Sequence, residues 1–297
     1  MKLRQVFLYV FLSLTILYAC VCTYMYIFQR NFLYLPGQNN NLRGEKLNLE
    51  IKEISVPSTE NITLKAWFYN NPKNKYTVLF FHGNAGGLEK RIYKLNEFKN
   101  LNLNYLIISW RGFSGNKGSP TEQGLYSDAR SALEWLQKNN ISKNKIILYG
   151  ESLGTGVAVE VAQNQKFAGI ILESPYTSIV DAAKIYYPYL PVDFILKDKY
   201  LSLKKIKNIT APVLVMHGGA DRIIPIAMGK KLFDEVQSKK YGYFPKFDRH
   251  MMTYNSELKL ELDKFVKTLN YFLIKACTKS FAIKLSKSSS FSPIPIA

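Results

Sequence analysis

The chain has 297 residues, 47% of them hydrophobic, with 40 Lys+Arg against 22 Asp+Glu and a formal net charge of +18. The length suits one domain with a substantial core better than two. The basic residues are scattered through every segment instead of clustering with interleaved aromatics on one element, which argues against nucleic-acid binding and leaves lipid proximity or a plain lysine-rich composition.

Val6 to Phe28 is a 23-residue run without a charge. At about 1.5 Å per helical residue it is long enough to cross a bilayer. Residues 1–30 are therefore expected to be a membrane anchor and 31–50 a linker. Lys2 and Arg4 precede the run, and Arg30, Arg43, Lys46 and Lys52 follow it. A signal-anchor topology with the following domain on the non-cytoplasmic side is the expected orientation. A cleaved signal peptide fits less well, because the run is long and lacks a small-x-small site. A lipoprotein signal at Leu17-Tyr18-Ala19-Cys20 is opposed by Tyr18 and by the apolar residues continuing past Cys20.

Beyond the linker, strand-like runs fall near 51–57, 62–69, 76–82, 104–110, 145–150, 169–174, 211–217 and 241–247. Helical patterns fall near 87–100, 121–139, 153–165, 178–187, 226–238 and 256–274. The clearest helix follows the start signal Pro120-Thr121, with Leu125, Ala129, Ala132, Leu133 and Leu136 on one stripe. Two antiparallel strands followed by alternating strand and helix predict an α/β domain over 51–274, with an eight-stranded, mostly parallel, doubly wound sheet. Ligands of such a sheet bind at the carboxyl ends of its strands. The segment 176–210 is the one place for a short lid. Its Tyr186-Tyr187-Pro188-Tyr189-Leu190-Pro191 and Phe194-Ile195-Leu196 either pack on the core or line an acyl pocket. Residues 275–297 form a Ser/Lys-rich basic tail.

Gly150-Glu151-Ser152-Leu153-Gly154 lies between an apolar strand and a small-residue helix. A serine on so sharp a turn is a candidate nucleophile, since small neighbours permit the strained backbone that lifts its hydroxyl above the sheet edge. Such a nucleophile needs an acid and a histidine downstream. Of the three histidines, His82 opens the glycine-rich His82-Gly83-Asn84-Ala85-Gly86-Gly87 after one strand, and His217 closes another strand before Gly218-Gly219-Ala220-Asp221. His250 is left as the candidate base. Asp221, on the loop beyond a buried strand, is the matching acid, ahead of Asp181, Asp193, Asp198 and Asp248. No Cys/His spacing resembles a metal site, the glycines at 83–87 lack the dinucleotide fingerprint, and no cofactor is expected. The cysteines, Cys20, Cys22 and Cys277, cannot form a disulfide framework.

Five ordered motifs resemble the alpha/beta-hydrolase superfamily, and most of all its membrane-anchored serine hydrolases of depalmitoylase-like and monoacylglycerol-lipase-like type. They are Phe80 to Gly87, Trp110 to Glu122, Tyr149 to Gly154, Glu173 to Ser178, and His217 to Pro225. The resemblance implies the alpha/beta-hydrolase fold, with Ser152 as nucleophile, Asp221 as acid, His250 as base, and the backbone N–H groups of Asn84 and Leu153 as oxyanion donors. It implies hydrolysis of an acyl ester or thioester, from a small molecule, a lipid or an acylated protein. The family's catalytic histidine usually follows a small residue, whereas Asp248-Arg249 precede His250 here. A catalytically silent membrane-tethered scaffold and a serine peptidase of the same fold are the alternatives.

Overall fold

In the computed structural model of the protein, residues 2–37 and 50–270 are described. The expected tail 275–297, Cys277, most of the linker 31–50 and the last residues of the helix expected at 256–274 lie outside them.

All eight expected strands are present: β1 (Lys52–Pro57), β2 (Thr63–Tyr69), β3 (Tyr76–Phe81), β4 (Leu103–Ile108), β5 (Ile146–Glu151), β6 (Gly169–Glu173), β7 (Val213–Met216) and β8 (Lys240–Tyr243). They form one sheet in the order β1-β2-β4-β3-β5-β6-β7-β8. β2 pairs antiparallel with both β1 and β4, and every later pairing is parallel. β3 to β7 are buried at every position, as expected of parallel strands covered on both faces.

The helices between strands are α2 (Ile92–Asn100), α3 (Glu122–Lys138), α4 (Leu153–Ala162), α5 (Ile179–Tyr186), α6 (Val192–Ile195), α7 (Ser202–Lys205) and α8 (Ile226–Glu235). α3 starts where the sequence predicts, with the Thr121 hydroxyl accepting from Gly124 N at 2.9 Å. Its predicted stripe is buried throughout. The chain runs from β3 outward to β4 and then back across β3 to β5. Right-handed crossovers therefore put α2 on one face and α3 and α4 on the other. The reversal makes the carboxyl ends of β3 and β5 the switch point of the sheet, where a crevice opens.

Helix α1 (Lys2–Leu33) is long and apolar enough to cross a membrane. It continues three residues past the expected anchor boundary at 30, and Leu35 then pairs with Ala85 in a parallel bridge. The start of the expected linker is thus built into the fold. Among the described residues, 254–270 belong to a second compact unit, in which residues 256–270 are helical and place Leu258, Leu262, Phe265 and Leu269 on one face.

Candidate active site

Ser152 connects β5 to α4 at φ 50, ψ −118, a backbone conformation costly for any residue with a side chain. Two glycines make the turn possible. A Cβ on Gly154 would lie 2.0 Å from Phe81 O, and one on Gly150 would lie 2.6 Å from Thr155 Cα. The turn is locked from behind by Ser152 N donating to Glu173 O and Thr155 N donating to Ser152 O, both at 2.9 Å.

Ser152, Asp221 and His250, about 100 residues apart in sequence at the extremes, form one hydrogen-bonded chain. His250 Nε2 lies 2.8 Å from Ser152 Oγ, and His250 Nδ1 lies 2.8 Å from Asp221 Oδ2. An ionised carboxylate only accepts, so Nδ1 carries the ring proton and Nε2 is left to accept from the serine hydroxyl. Asp221 is itself tightly held. Oδ2 also faces His217 Nε2 at 3.1 Å, while Oδ1 accepts from Ile223 N and Ile224 N at 2.8 and 2.9 Å. Burial opposes ionisation of Asp221, yet the hydrogen bonds from His217 and His250 outweigh it and hold the carboxyl well below the usual range.

The bulky Asp248-Arg249 before His250 are accommodated by small residues on the facing loop. A Cβ on Gly218 would fall 2.2 Å from Asp248 O, and Ala220 N donates to Asp248 O at 2.9 Å. The small residue that this approach requires is therefore in the Gly218-Gly219 pair, on the Asp221 loop. Three of the four rival aspartates have other partners: Asp181 accepts from Thr177 Oγ1, Asp193 pairs with Lys184, and Asp198 pairs with Arg30; Asp248 Oδ2 is buried without a hydrogen-bond partner.

Asn84 and Leu153 lie with Ser152 in the wall of one cavity of about 250 Å³. Leu153 is the first residue of α4, so its N–H has no acceptor within the helix. Asn84 uses its carbonyl and side chain elsewhere, accepting from Leu35 N and donating to Leu33 O, both at 2.8 Å. Tyr186, Tyr187, Leu190, Ile195 and Leu196 of the aromatic segment line the same cavity, while Tyr189 and Phe194 are exposed. His82 is a buried neighbour of this loop. Its Nδ1 donates to Gly83 O, its own carbonyl accepts from Trp110 Nε1, and burial, helped by the Arg91 charge, pushes its imidazole down to about 3.

A buried charge cluster, absent from the sequence-based expectations, adjoins Ser152 through Glu151. Lys94 of α2 is fully buried, with Nζ 2.5 Å from Glu151 Oε2 and 2.6 Å from Glu173 Oε2. Arg91 Nη2 lies 2.6 Å from Glu151 Oε1, and Tyr149 Oη donates to Glu173. Burial opposes the charge on Glu151, but the Lys94 and Arg91 cations outweigh it and keep the carboxyl well below its ordinary range. A signal was present: Glu151 and Glu173 each close a strand that is otherwise free of charged residues.

A family model described as the alpha/beta hydrolase fold matches residues 76–200. The protein bem46 of Schizosaccharomyces pombe is 34% identical over 240 residues, covering 75% of this chain and 80% of that protein. The lysophosphatidylserine lipase ABHD12 of Danio rerio is 32% identical over 195 residues, which is 59% of this chain and 51% of that one. Among solved structures, the Pyrococcus furiosus esterase Pf2001 superposes with a TM-score of 0.65 at 18% identity, covering 79% of this chain and 98% of that one. The chain belongs to the alpha/beta-hydrolase family.

Proposed function

We propose that the protein is a membrane-anchored serine hydrolase that cleaves an acyl ester or thioester through an acyl-enzyme intermediate. The hydrogen-bonded chain Ser152-His250-Asp221 at the mouth of an apolar cavity carries this reading. As Ser152 Oγ attacks the carbonyl carbon, its proton passes to His250 Nε2, and Asp221 holds the imidazolium by Nδ1. The tetrahedral oxygen takes up negative charge facing the N–H groups of Asn84 and Leu153, with the positive end of α4 behind the second. Collapse breaks the carbonyl bond to the leaving alkoxide or thiolate, which takes the proton from Nε2. Water, deprotonated by the same nitrogen, then releases the acid and restores Ser152.

The lipid-esterase name of the zebrafish relative, the apolar cavity and the long apolar α1 all favour a substrate with an acyl chain, whether a lipid or an acylated protein. The catalytic domain is proposed on the non-cytoplasmic side, which protease accessibility in sealed vesicles tests. Purified wild-type protein is expected to react with a fluorophosphonate probe and to hydrolyse acyl esters. Ser152→Ala is expected to lose the label and to reduce hydrolysis to background. A wild-type protein that refuses the probe would overturn the enzymatic reading and favour the silent scaffold.

A further inference from the structure

The carboxyl-terminal half of α1 does not simply hang the domain from a membrane. Cys22 and Met25 pack against the cluster of Val180, Leu190 and Val192. Gln29, 7% exposed, works as an amide clamp on the connecting segment: Nε2 donates to Ile195 O at 2.9 Å, and Oε1 accepts from Lys197 N at 2.7 Å. Arg30 then forks onto Asp198 at 2.8 and 3.2 Å, and Tyr34 meets the buried Tyr200 hydroxyl at 2.9 Å. A glutamine and an arginine at the end of an apolar helix are costly near lipid unless paired, and here both are.

The last residues reach the chemistry itself. Leu33 O, a carbonyl left without a partner by the end of the helix, accepts from Asn84 Nδ2 at 2.8 Å. Leu35 N donates to Asn84 O at 2.8 Å, and Leu35 O accepts from Gly86 N at 3.2 Å. Both the side chain and the carbonyl of Asn84 are thereby fixed by the exit of α1, while its own N–H is left for the site. Met25, Gln29, Phe32 and Leu33 form a wall of the same cavity that holds Ser152. Farther toward the N-terminus, Tyr18 Oη donates to Tyr189 O at 2.8 Å. Tyr18 is inside the apolar run and about 16 Å along the helix from Gln29, so the exposed Tyr189 lies at the depth of that run.

We propose that residues 22–35 are part of the active site: they wall the acyl pocket and brace the oxyanion loop, so that an acyl chain passes from lipid to Ser152 along the face of α1. The proposal rests on the hydrolase reading and deepens it. Arg30 acts here as a positioning residue through the connecting segment, and the backbone groups of Leu33 and Leu35 position the Asn84 N–H through the loop.

The test uses the full chain in detergent, with a protease site placed within residues 38–49. After cleavage, the helix fragment is expected to co-elute with the domain, with ester hydrolysis and probe labelling retained. Gln29→Leu combined with Arg30→Gln should release the fragment from the nicked protein. On release, kcat toward a soluble butyryl ester should fall about 100-fold with little change in KM, the scale expected when a catalytic group is misplaced by about 1 Å. A helix that only tethers would leave that kcat unchanged. As a second arm that keeps the fold, Met25→Trp should lower the ratio of kcat/KM for dodecanoyl over butyryl esters at least fivefold, and an unchanged ratio counts against the wall. Intact wild-type protein that fails to label would overturn the hydrolase reading, whereas intact protein that labels, together with a separated domain of full activity, would overturn this proposal alone.

Discussion

Removing Lys94 tests whether the charge cluster adjoining Ser152 supports the site. In the wild type, two cations, Arg91 and Lys94, face two carboxylates, Glu151 and Glu173, and all four are buried. Lys94→Met fits a similar volume but leaves one cation for two carboxylates. Arg91 stays on Glu151, and Tyr149 and Met252 N stay on Glu173. Breaking a buried pair from one side costs about 3–5 kcal/mol. For a domain of this size that corresponds to a fall in Tm of about 6–20 °C. The sign with pH is also fixed. Glu151 has its carboxyl depressed chiefly by Lys94, so its contribution is present above the unfolded value of about 4.3 and is lost as pH falls toward the folded one. The Tm deficit of the variant should therefore be full between pH 6 and 8 and shrink on acidification below about pH 5. Thermal unfolding of the detergent-solubilised full chain, followed by circular dichroism across that range, reads both quantities. A deficit below about 1 kcal/mol, the size of an exposed pair, or one that widens on acidification, would refute the reasoning.

Asp221→Asn should keep the fold and lower kcat by about four orders of magnitude, because the amide no longer fixes the Nδ1–H tautomer of His250; steady-state kinetics with an activated ester measures it. Gly154→Ala should destabilise by at least about 2 kcal/mol, since the new Cβ falls on Phe81 O, a backbone atom that cannot step aside without moving β3, and the loss is read as a lower Tm with weakened probe labelling.

The strands and the candidate triad were legible because their signals are local. Strands β3 to β7 are apolar apart from Thr77, Asn104 and the closing Glu151 and Glu173, and the serine turn, Asp221 and His250 each follow one of the expected strands. The cluster of Arg91, Lys94, Glu151 and Glu173 was not legible for the opposite reason. In a chain with 40 basic residues, one lysine on an amphipathic helix looks like any solvated lysine until the sheet brings two carboxylates beneath it. The docking of α1 was hidden in the same way. Hydropathy identifies a run that suits lipid, but the partners of Gln29 and Arg30 lie more than 160 positions away. The doublet Asp248-Arg249 looked foreign before His250 because the compensating glycines sit on another loop.

The end of β6 grips Ser152 and the His250 loop at once. Glu173 O receives Ser152 N, Glu173 Oε1 receives Met252 N, and Ser174 Oγ donates to His250 O. Two neighbouring residues thus act as a common datum for groups that come from opposite sides of the crevice. A shift of this strand is therefore expected to move the backbones that carry the hydroxyl and the imidazole in the same direction.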